Sequence, residues 1–553
     1  PQTGSEPEKK FNAGTYTVTA SGMAGKYDVT VTFSDDRIES IEAGENKETD
    51  MLGTEAIRIL SDRIIENQSL DVDALSGATY SSYGIIYAVR DAVQQAGGDV
   101  DALLAVPAPV DTYDDMPHEA DIIIVGGGLA GVTAAISAKQ NGGDVILLEQ
   151  NAYLGGNTIL AAGTTLMGGT SIQKALGIED NPDDFYNYIL TNSNNEKDPM
   201  QAKWVAYNSQ KLIDFYGAFG VKFADAVNAT DNSPVPRGHM LAPLGENFRK
   251  MCEHLVELGV DIRYNTRVES LIQNDAGEVV GVKAVDYNGN PVEYMGKSIV
   301  LATGGFADNK EMIKKYWGEE YSTVVNGGAK RIDGAMIEEA VRLGADLVDM
   351  DDVHIDATCE VTHGVMIFTN ILAFCSGIVV NQNGERFADE QAEHCEIVAD
   401  AMHQLGGDYY WEIFDNNALS YNDTYTEKVK AYMGMGLTTE YASIDEMAAG
   451  IGVDPAVLTK TIEDVNKAIR GEAADPFGRQ GFFGELKAPF YVAKVANGVV
   501  CTTGGLKVNE QMQVVKTDGT PIPNLYAIGE TVGGYLIHYV GGDSFARCGI
   551  TGM

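Results

Sequence analysis

The sequence predicts an α/β fold: a discontinuous, Rossmann-like domain that holds an inserted α+β domain and follows a small α+β domain. Three observations support this prediction. A strand, a glycine-rich turn, a helix and a second strand follow one another between residues 121 and 149. Two later strands, within 298–309 and 522–534, also run into glycine turns. A separate stretch, 14–45, alternates polar and apolar residues around glycine and aspartate turns, which indicates a small antiparallel sheet.

The composition narrows the classes of partner. The chain has 553 residues, enough for several domains with their own cores. Its 39 Lys and Arg residues face 80 Asp and Glu residues, a net charge of −41. Such a charge repels polyanions, so nucleic acid and anionic membrane surfaces are excluded and a small-molecule partner is expected. No apolar run approaches the roughly 20 residues that span a bilayer, so we expect no membrane-spanning segment.

The first residues of the chain bear on its cellular location. Residues 1–12 begin with Pro1 and are polar, like the leader or linker that tethers an exported protein through a lipid on a removed N-terminal segment. They predict an extracytoplasmic protein, although an artificially chosen start would leave the same residues.

The six cysteines are far apart and form no C-x-x-C pair, so neither haem attachment nor an iron–sulfur or zinc site is expected.

The first domain is predicted to occupy 13–105. Helical sequence follows its strands, then the small-residue run Ser76–Ser82 ("SGATYSS"), then a second helix. Residues 106–118 lie in a stretch rich in proline and aspartate and are predicted to be a linker.

The glycine-rich turn after the linker carries a dinucleotide motif. The apolar strand Ile122–Val125 runs into Gly126-x-Gly128-x-x-Gly131, an alanine-rich helix and a strand that ends at Glu149. The glycines allow a tight turn and close approach of a pyrophosphate, the helix N-terminus faces the phosphates, and the acid accepts from ribose hydroxyls. The alternative is an ordinary glycine-rich strand-to-helix turn.

Two features favour FAD over NAD: the segment Leu154–Thr158 ("LGGNT") directly after the acid, and the two later strands with their glycine turns. The FAD domain is therefore predicted at 119–351 and 498–553, with a capping domain at 352–497 that encloses a substrate. The other candidate FAD contacts lie in these turns and the loops beside them: Ala130, Gly155, Gly156, Asn157, Thr158, Ala302, Thr303, Gly304, Asp333, Gly529, Glu530 and Ser544.

These segments, in this order, resemble the flavoprotein family of fumarate reductases, urocanate reductases and 3-ketosteroid dehydrogenases. The resemblance covers about residues 119–553. It implies non-covalent FAD and an oxidoreductase that acts on CH–CH bonds.

The first domain resembles FMN-binding domains that carry FMN covalently through a phosphoester to threonine. Their motif, an aspartate followed two residues later by Ser-Gly-Ala-Thr, matches Asp73 with Ser76, Gly77, Ala78 and Thr79. The resemblance implies FMN on Thr79, a flavin transferase for maturation, and attachment outside the cytoplasm. Two flavins imply a relay from an external donor through FMN and FAD to substrate, although such a relay can also run outward. A plain helix cap is the alternative for the motif.

The fumarate-reducing members clamp two carboxylates with basic residues, which this chain lacks at the matched positions. The text around Arg386 and Glu390 matches, but His394 stands where the family has its proton-donating arginine. The other matched cationic positions hold Val500 or Cys501, Tyr539 and Asp356. A dianionic substrate would lose its charge-assisted hydrogen bonds, so fumarate is disfavoured.

A tyrosine at this place is similar to the ketosteroid dehydrogenases. The resemblance implies that Tyr539, with the backbone N–H of Gly542 or Asp543, holds a carbonyl oxygen and stabilises enolate charge. His394 is the first candidate proton donor and Tyr535 the second. Asp356 and Phe368 are further candidate substrate contacts.

The sequence thus predicts an ene-reductase that reduces the C=C bond of an α,β-unsaturated carbonyl compound, with a 3-ketosteroid-like enone as leading substrate. One alternative is a respiratory reductase of an unsaturated monocarboxylate of the urocanate, acrylate or cinnamate type. A flavin electron carrier without its own substrate is the alternative from another class.

Overall fold

The structure is a computed structural model. It describes residues 9–110, 112–193, 199–229, 233–366, 377–390, 395–420, 423–481, 484–535 and 542–553. The chain divides into two units: the first comprises 1–115, 151–153 and 427–435, and the second the remainder. The predicted α/β class with a small α+β domain before it is confirmed. The limits assigned to the three domains stay predictions.

The first unit is built on a three-stranded antiparallel sheet with two helices. The strands are β1 (Gly14–Gly22), β2 (Gly25–Phe33) and β3 (Ile38–Ala43), and their burial alternates as one face meets the core. Helices α1 (Gly53–Asn67) and α2 (Thr79–Gln95) precede a short α3 (Val100–Leu104). Gly84 of α2 lies so close to β1 that an added Cβ would stand 2.7 Å from the Ser21 carbonyl oxygen.

The second unit contains the predicted cofactor sheet. Within the described residues it has eight strands, in the order β10-β11-β12-β4-β5-β9, with β22 beside β12 and β21 beside β22. The pairs β12–β4, β4–β5, β5–β9 and β12–β22 are parallel, as expected for a Rossmann-like core. The strands are β4 (Glu119–Val125), β5 (Val145–Leu148), β9 (Asp261–Arg263), β10 (Arg267–Gln273), β11 (Val279–Val285), β12 (Pro291–Leu301), β21 (Gln513–Val515) and β22 (Pro521–Ala527).

A second sheet lies in the segment predicted to cap the cofactor. Its central strand, β19, pairs with β17 on one side and with β15 and β18 on the other. The outer edge of β17 pairs with β16, and β13 pairs in parallel with the last residues of β19. The bounds are β13 (Val325–Asn326), β15 (Asp356–Glu360), β16 (Ile378–Val380), β17 (Tyr410–Asp415), β18 (Thr438–Tyr441) and β19 (Phe490–Val499). The small strands elsewhere are β6 (Thr164–Leu166), β7 (Val227–Asn228), β8 (Gly238–Met240), β14 (Leu347–Val348) and β20 (Gly505–Leu506).

The remaining helices belong to the second unit, except that residues 427–434 of the helix at 423–434 belong to the first unit. They are α4 (Leu129–Gln140), α5 (Ser171–Ala175), α6 (Pro182–Asn192), α7 (Pro199–Gly217), α8 (Leu244–Glu257), α9 (Lys310–Tyr316), α10 (Ala335–Arg342), α11 (Cys395–Leu405), α12 (Asn416–Leu419), α13 (Asp423–Gly434), α14 (Ile444–Ile451), α15 (Pro455–Ile469) and α16 (Asp543–Gly552). Across the described ranges, no helix is both long enough and apolar enough to cross a bilayer.

A buried carboxyl stands in the middle of the second sheet. Glu412 on β17 is fully buried. Burial, and to a lesser extent the nearby Glu390 carboxylate, holds the pKa of Glu412 well above its usual value of 4.5. The carboxyl is therefore protonated in the folded chain at a pH where it ionises in the unfolded chain.

We expect Glu412→Gln to raise the free energy of unfolding by an amount that depends on pH. The wild type binds one proton more when folded, so its stability falls by about 1.4 kcal/mol per pH unit above pH 4.5, until Glu412 ionises in the fold. The variant lacks this loss, and we expect its advantage in unfolding free energy to grow from pH 5 to pH 8. The exposed Glu510→Gln is the control. A difference that does not change with pH would contradict the assignment.

Candidate functional site

The glycine-rich turn after β4 is packed too tightly for other side chains. A Cβ added to Gly126, whose φ is +105°, would lie 2.3 Å from the Ala302 carbonyl oxygen, and one on Gly131 would lie 1.9 Å from the Gly126 carbonyl oxygen. These glycines bring the turn, the end of β12 and the start of α4 together. The twelve-residue α4 begins after Gly128, which supplies no side-chain cap, so the N–H groups that follow Leu129 in its first turn are available to a pyrophosphate.

Side chains from two neighbouring segments fix this turn. Glu149, buried at the end of β5, accepts a hydrogen bond from the Gly127 N–H at 2.8 Å. The Thr158 hydroxyl accepts from the Leu129 N–H at 3.0 Å, and Gly155 forms a β-bridge with Gly128. The "LGGNT" segment therefore lies directly beside the dinucleotide turn, as the predicted FAD contacts at Gly155, Gly156 and Thr158 require.

A half-buried carboxyl, Glu530, contacts the "LGGNT" segment from the turn after β22. Glu530 accepts from the Thr502 N–H at 2.9 Å and from Asn157 Nδ2 at 3.3 Å, while burial raises its pKa. The Thr303 hydroxyl, next to Ala302 and Gly304 at the end of β12, is buried without a hydrogen-bond partner among the described residues. An orphaned hydroxyl beside a glycine turn fits a bound dinucleotide.

Four predicted FAD contacts have other partners in the structure or are packed within or against a helix. Asp333 forms an ion pair with Arg267 at 2.8 Å, and the Ser544 hydroxyl donates to the Asp543 carboxylate at 3.1 Å. Ala130 is buried in α4, and Gly529, with a φ of +63°, is so close to it that an added Cβ would lie 2.7 Å from the Ala130 Cβ.

The Thr79 motif has the exposure that flavin attachment needs. Thr79 is exposed at the first position of α2, a helix of 17 residues without a side-chain cap, so a phosphate on its hydroxyl would meet a helix N-terminus. Gly77 has a φ of +82°, and a Cβ added to it would lie 2.8 Å from the hydroxyl oxygen of Tyr153, which donates to the Ser76 carbonyl at 2.6 Å. Ala78 is buried and fixes the turn. The motif therefore fits FMN.

A cluster of five polar side chains, which we call the substrate-side cluster, comprises Tyr535, Asp543, Arg547, His354 and Asp356. Asp543 and Arg547 are one turn apart on α16, and the Arg547 guanidinium lies 5.6 Å from the Tyr535 ring centroid. Burial raises the pKa of Asp543 to about 6, although Arg547 and His354 favour its charged form. His354 Nε2 lies 3.7 Å from the Asp356 carboxylate.

Tyr535 is held protonated in this cluster. It is buried, and its pKa is well above the usual value, mainly because of burial and then because of the Asp543 charge. Arg547 is buried as well and donates to the Val532 carbonyl at 3.1 Å. Gly542 precedes α16 with a φ of +94°, and an added Cβ would stand 2.9 Å from the backbone of Thr164.

The structure thus brings Tyr535, the second candidate proton donor, into one region with the candidate substrate contacts Gly542, Asp543 and Asp356; their roles stay predictions. Tyr539, His394 and Phe368 lie outside the described residues. Sequence reasoning left Arg547 without a role and did not consider His354. Asp543 and Arg547 are four residues apart in the sequence, a spacing that joins neighbouring side chains if the segment is helical, and this signal would have indicated a role for Arg547.

Comparison with known proteins agrees with this arrangement. Residues 121–544 match the family model described as an FAD binding domain, and 22–94 match an FMN-binding domain. Urocanate reductase from Eggerthella lenta is 30% identical over 98% of this chain and 90% of its own length.

Solved structures resemble the chain as well. The open conformation of a flavocytochrome c3 fumarate reductase superposes with a TM-score of 0.72 at 26% identity, covering 81% of this chain and 82% of that one. A 3-ketosteroid-Δ4-(5α)-dehydrogenase from Rhodococcus jostii RHA1 gives 0.59 at 24% identity over 80% and 96%, a likeness of fold alone.

Urocanate and fumarate, the compounds in the names of the first two relatives, each contain a C=C bond conjugated to a carboxylate. FAD and FMN are the cofactors that the two matched domains bind. The chain therefore belongs to this FAD-binding family; it is a flavin-dependent oxidoreductase that acts on the C=C bond of unsaturated compounds, and it carries an FMN-binding domain as well.

Proposed function

We propose that the enzyme reduces the C=C bond of an α,β-unsaturated carbonyl compound, with a neutral, bulky enone such as a 3-ketosteroid as its leading substrate class. One observation carries this choice. Among the described members of the substrate-side cluster, the carboxylates are Asp356 and Asp543, and the permanent cation is Arg547, whose charge Asp543 already offsets. A dicarboxylate would meet more negative than positive charge there, whereas a neutral carbonyl would not.

The chain's own residues would polarise the substrate and supply a proton. FAD, when bound and reduced by the electron donor, would supply the hydride for the β-carbon and return to its oxidised form. Tyr539 and the N–H of Gly542 or Asp543 would donate hydrogen bonds to the carbonyl oxygen, which stabilises negative charge developing there. His394 would deliver the proton to the α-carbon, with Tyr535 as the second candidate. Because the pKa of Tyr535 is raised, its hydroxyl keeps its proton across the neutral range.

A second candidate is the reduction of an unsaturated monocarboxylate of the urocanate, acrylate or cinnamate type. The 30% identity to a urocanate reductase supports it, and so does the buried Arg547 beside Tyr535, since one guanidinium can pair with one carboxylate. A flavin electron carrier without its own substrate is the candidate from another class.

The deciding experiment is anaerobic reoxidation of the dithionite-reduced, FMN-loaded protein. The oxidants are a Δ4-3-ketosteroid, cinnamate, urocanate and fumarate, each followed by the return of flavin absorbance. We expect rapid reoxidation by the steroid alone. Reoxidation by cinnamate or urocanate instead would replace the enone with the monocarboxylate, and failure of every compound would favour the carrier.

Tyr539→Phe should lower turnover by roughly 10²- to 10³-fold, the usual cost of removing one hydrogen-bond donor to an oxyanion. FAD content should not change, because the variant keeps the aromatic ring. Turnover with the preferred oxidant and bound flavin are measured together. Tyr287→Phe, at an exposed position, is the control. Equal turnover in Tyr539→Phe and wild type would remove Tyr539 from the mechanism.

The delivery of electrons is part of the same proposal. FMN would be attached covalently to Thr79 by a flavin transferase, and an external donor would reduce FMN, which passes electrons to FAD. The exposed hydroxyl of Thr79 supports attachment by another enzyme. We place the protein outside the cytoplasm, because the FMN-binding domains that the first domain resembles receive their flavin there.

A further inference from the structure

Helix α2 exposes an aromatic stripe that begins at Thr79. Most of the helix is buried, and its solvent-facing positions recur every four residues. After Thr79 these positions hold Tyr83 and Tyr87, whose side chains are 45% and 54% exposed. An exposed helix face in a chain with a net charge of −41 is expected to be charged, so two exposed aromatics in line need a reason.

The two tyrosines form an ordered pair. Their ring centroids are 5.5 Å apart and their planes differ by 17°, which is the offset, near-parallel arrangement of stacked aromatics. The Arg90 guanidinium lies 5.5 Å from the Tyr87 ring and supports it from the next turn. The pair presents an aromatic surface to solvent on which another planar ring can stack.

The spacing matches a group attached to Thr79. Tyr83 follows Thr79 by one turn, about 6 Å along the axis, and Tyr87 by two turns, about 12 Å. The ribityl chain of FMN carries its ring away from the phosphate by a comparable length. A flavin anchored at Thr79 and extended along the helix therefore reaches the tyrosine pair.

We propose that Tyr83 and Tyr87 form the stacking surface for the isoalloxazine ring of the FMN carried by Thr79. This inference rests on the attachment proposed above. Stacking covers one face of the flavin and leaves the other to an electron donor. It also limits the swing of a cofactor that is otherwise held by one phosphoester.

The test uses the full chain loaded with FMN and FAD, with flavin fluorescence lifetime and visible circular dichroism expressed per mole of FMN. A stacked tyrosine quenches flavin emission by giving an electron to the excited ring and recovering it. The double variant Tyr83→Leu/Tyr87→Leu should therefore fluoresce several-fold more strongly and lose FMN dichroism. Tyr83→Phe/Tyr87→Phe should keep the dichroism, because phenyl rings still stack, yet emit more than wild type.

Two controls separate the sources of signal. Thr79→Ala, with FAD alone, gives the FAD contribution to be subtracted, and Tyr287→Leu replaces an exposed tyrosine on a loop. Mass spectrometry gives the loading of each variant. Unchanged emission per FMN in the leucine variant overturns the proposal, and if loading also falls, the stripe serves the flavin transferase instead. A wild type without an adduct on Thr79 overturns the attachment itself, and the stacking with it.

Discussion

Thr79→Ala is expected to remove covalent FMN completely and to leave FAD bound. The substitution deletes the hydroxyl that forms the phosphoester, while every candidate FAD contact stays intact. Intact-mass measurement checks the adduct, and the flavin released on denaturation measures FAD. The matched control is Ser76→Ala, because Ser76 is an exposed hydroxyl in the same turn. That variant should load normally.

The same variant separates electron entry from substrate reduction. An external donor that reduces FMN first should no longer support turnover. A small reductant that reaches FAD directly should still do so, since the substrate-side cluster is unchanged. A flavin adduct that persists in Thr79→Ala, or that disappears in Ser76→Ala, would move the attachment point within the motif.

Arg547→Met is expected to cost about 3–5 kcal/mol of stability, the typical effect of leaving a buried charge without its partner. Asp543 is fully buried, and Arg547 supplies the largest interaction that favours its charged form. Without the guanidinium, the pKa of Asp543 should rise further above 6. Thermal and urea unfolding of the FAD-loaded protein, compared with wild type, measure the loss.

The stability loss caused by Arg547→Met should depend on pH, because Asp543 titrates in the folded protein. In wild type the pKa of Asp543 is raised from 3.8 to about 6, so its contribution to stability declines between these values and is constant above them. In Arg547→Met the decline should continue past pH 6, at about 1.4 kcal/mol per pH unit. The variant's deficit should therefore be larger at pH 8 than at pH 5.

A double variant and a surface control complete the cycle. Arg547→Met/Asp543→Asn should recover much of the loss, because no unpaired charge remains in the site. Arg58→Met, which breaks exposed pairs with Glu55 at 2.8 Å and Asp62 at 3.1 Å, should cost no more than about 1 kcal/mol. Additive losses from Arg547→Met and Asp543→Asn would show that the two side chains do not interact.

The sequence predicted those features that local chemistry determines. The turn from Gly126 to Gly131 could be recognised because only glycine fits at its two ends, where an added Cβ would lie 2.3 Å and 1.9 Å from a carbonyl oxygen. The exposure of Thr79 followed from the small residues around it. Both depend on neighbours within one strand–turn–helix unit.

Features that depend on long-range packing could not be predicted. His354 lies far from Asp543 in sequence, and nothing in "DDVHIDAT" indicates that the two side chains would interact electrostatically. Glu412 occurs in "YWEIFD", where its alternation with Tyr410 and Phe414 places it on a buried face. In the sequence alone, a glutamate usually indicates a solvent-facing position. The burial of Glu412 depends on the elements packed against the sheet, which the sequence of this strand does not show.

The pairing of β12 with β22 has a consequence for biosynthesis. Leu301 lies opposite Ala527, and the whole second sheet is encoded between them. Pairs so distant in sequence give the FAD domain a high contact order, which slows folding, whereas the β1–β2–β3 sheet and α2 are local. On the ribosome, the β1–β2–β3 sheet and α2 can therefore fold before Glu530, which lies near the FAD turn, has been synthesised. The nascent chain must keep its unfinished sheet from aggregating until the last strand emerges.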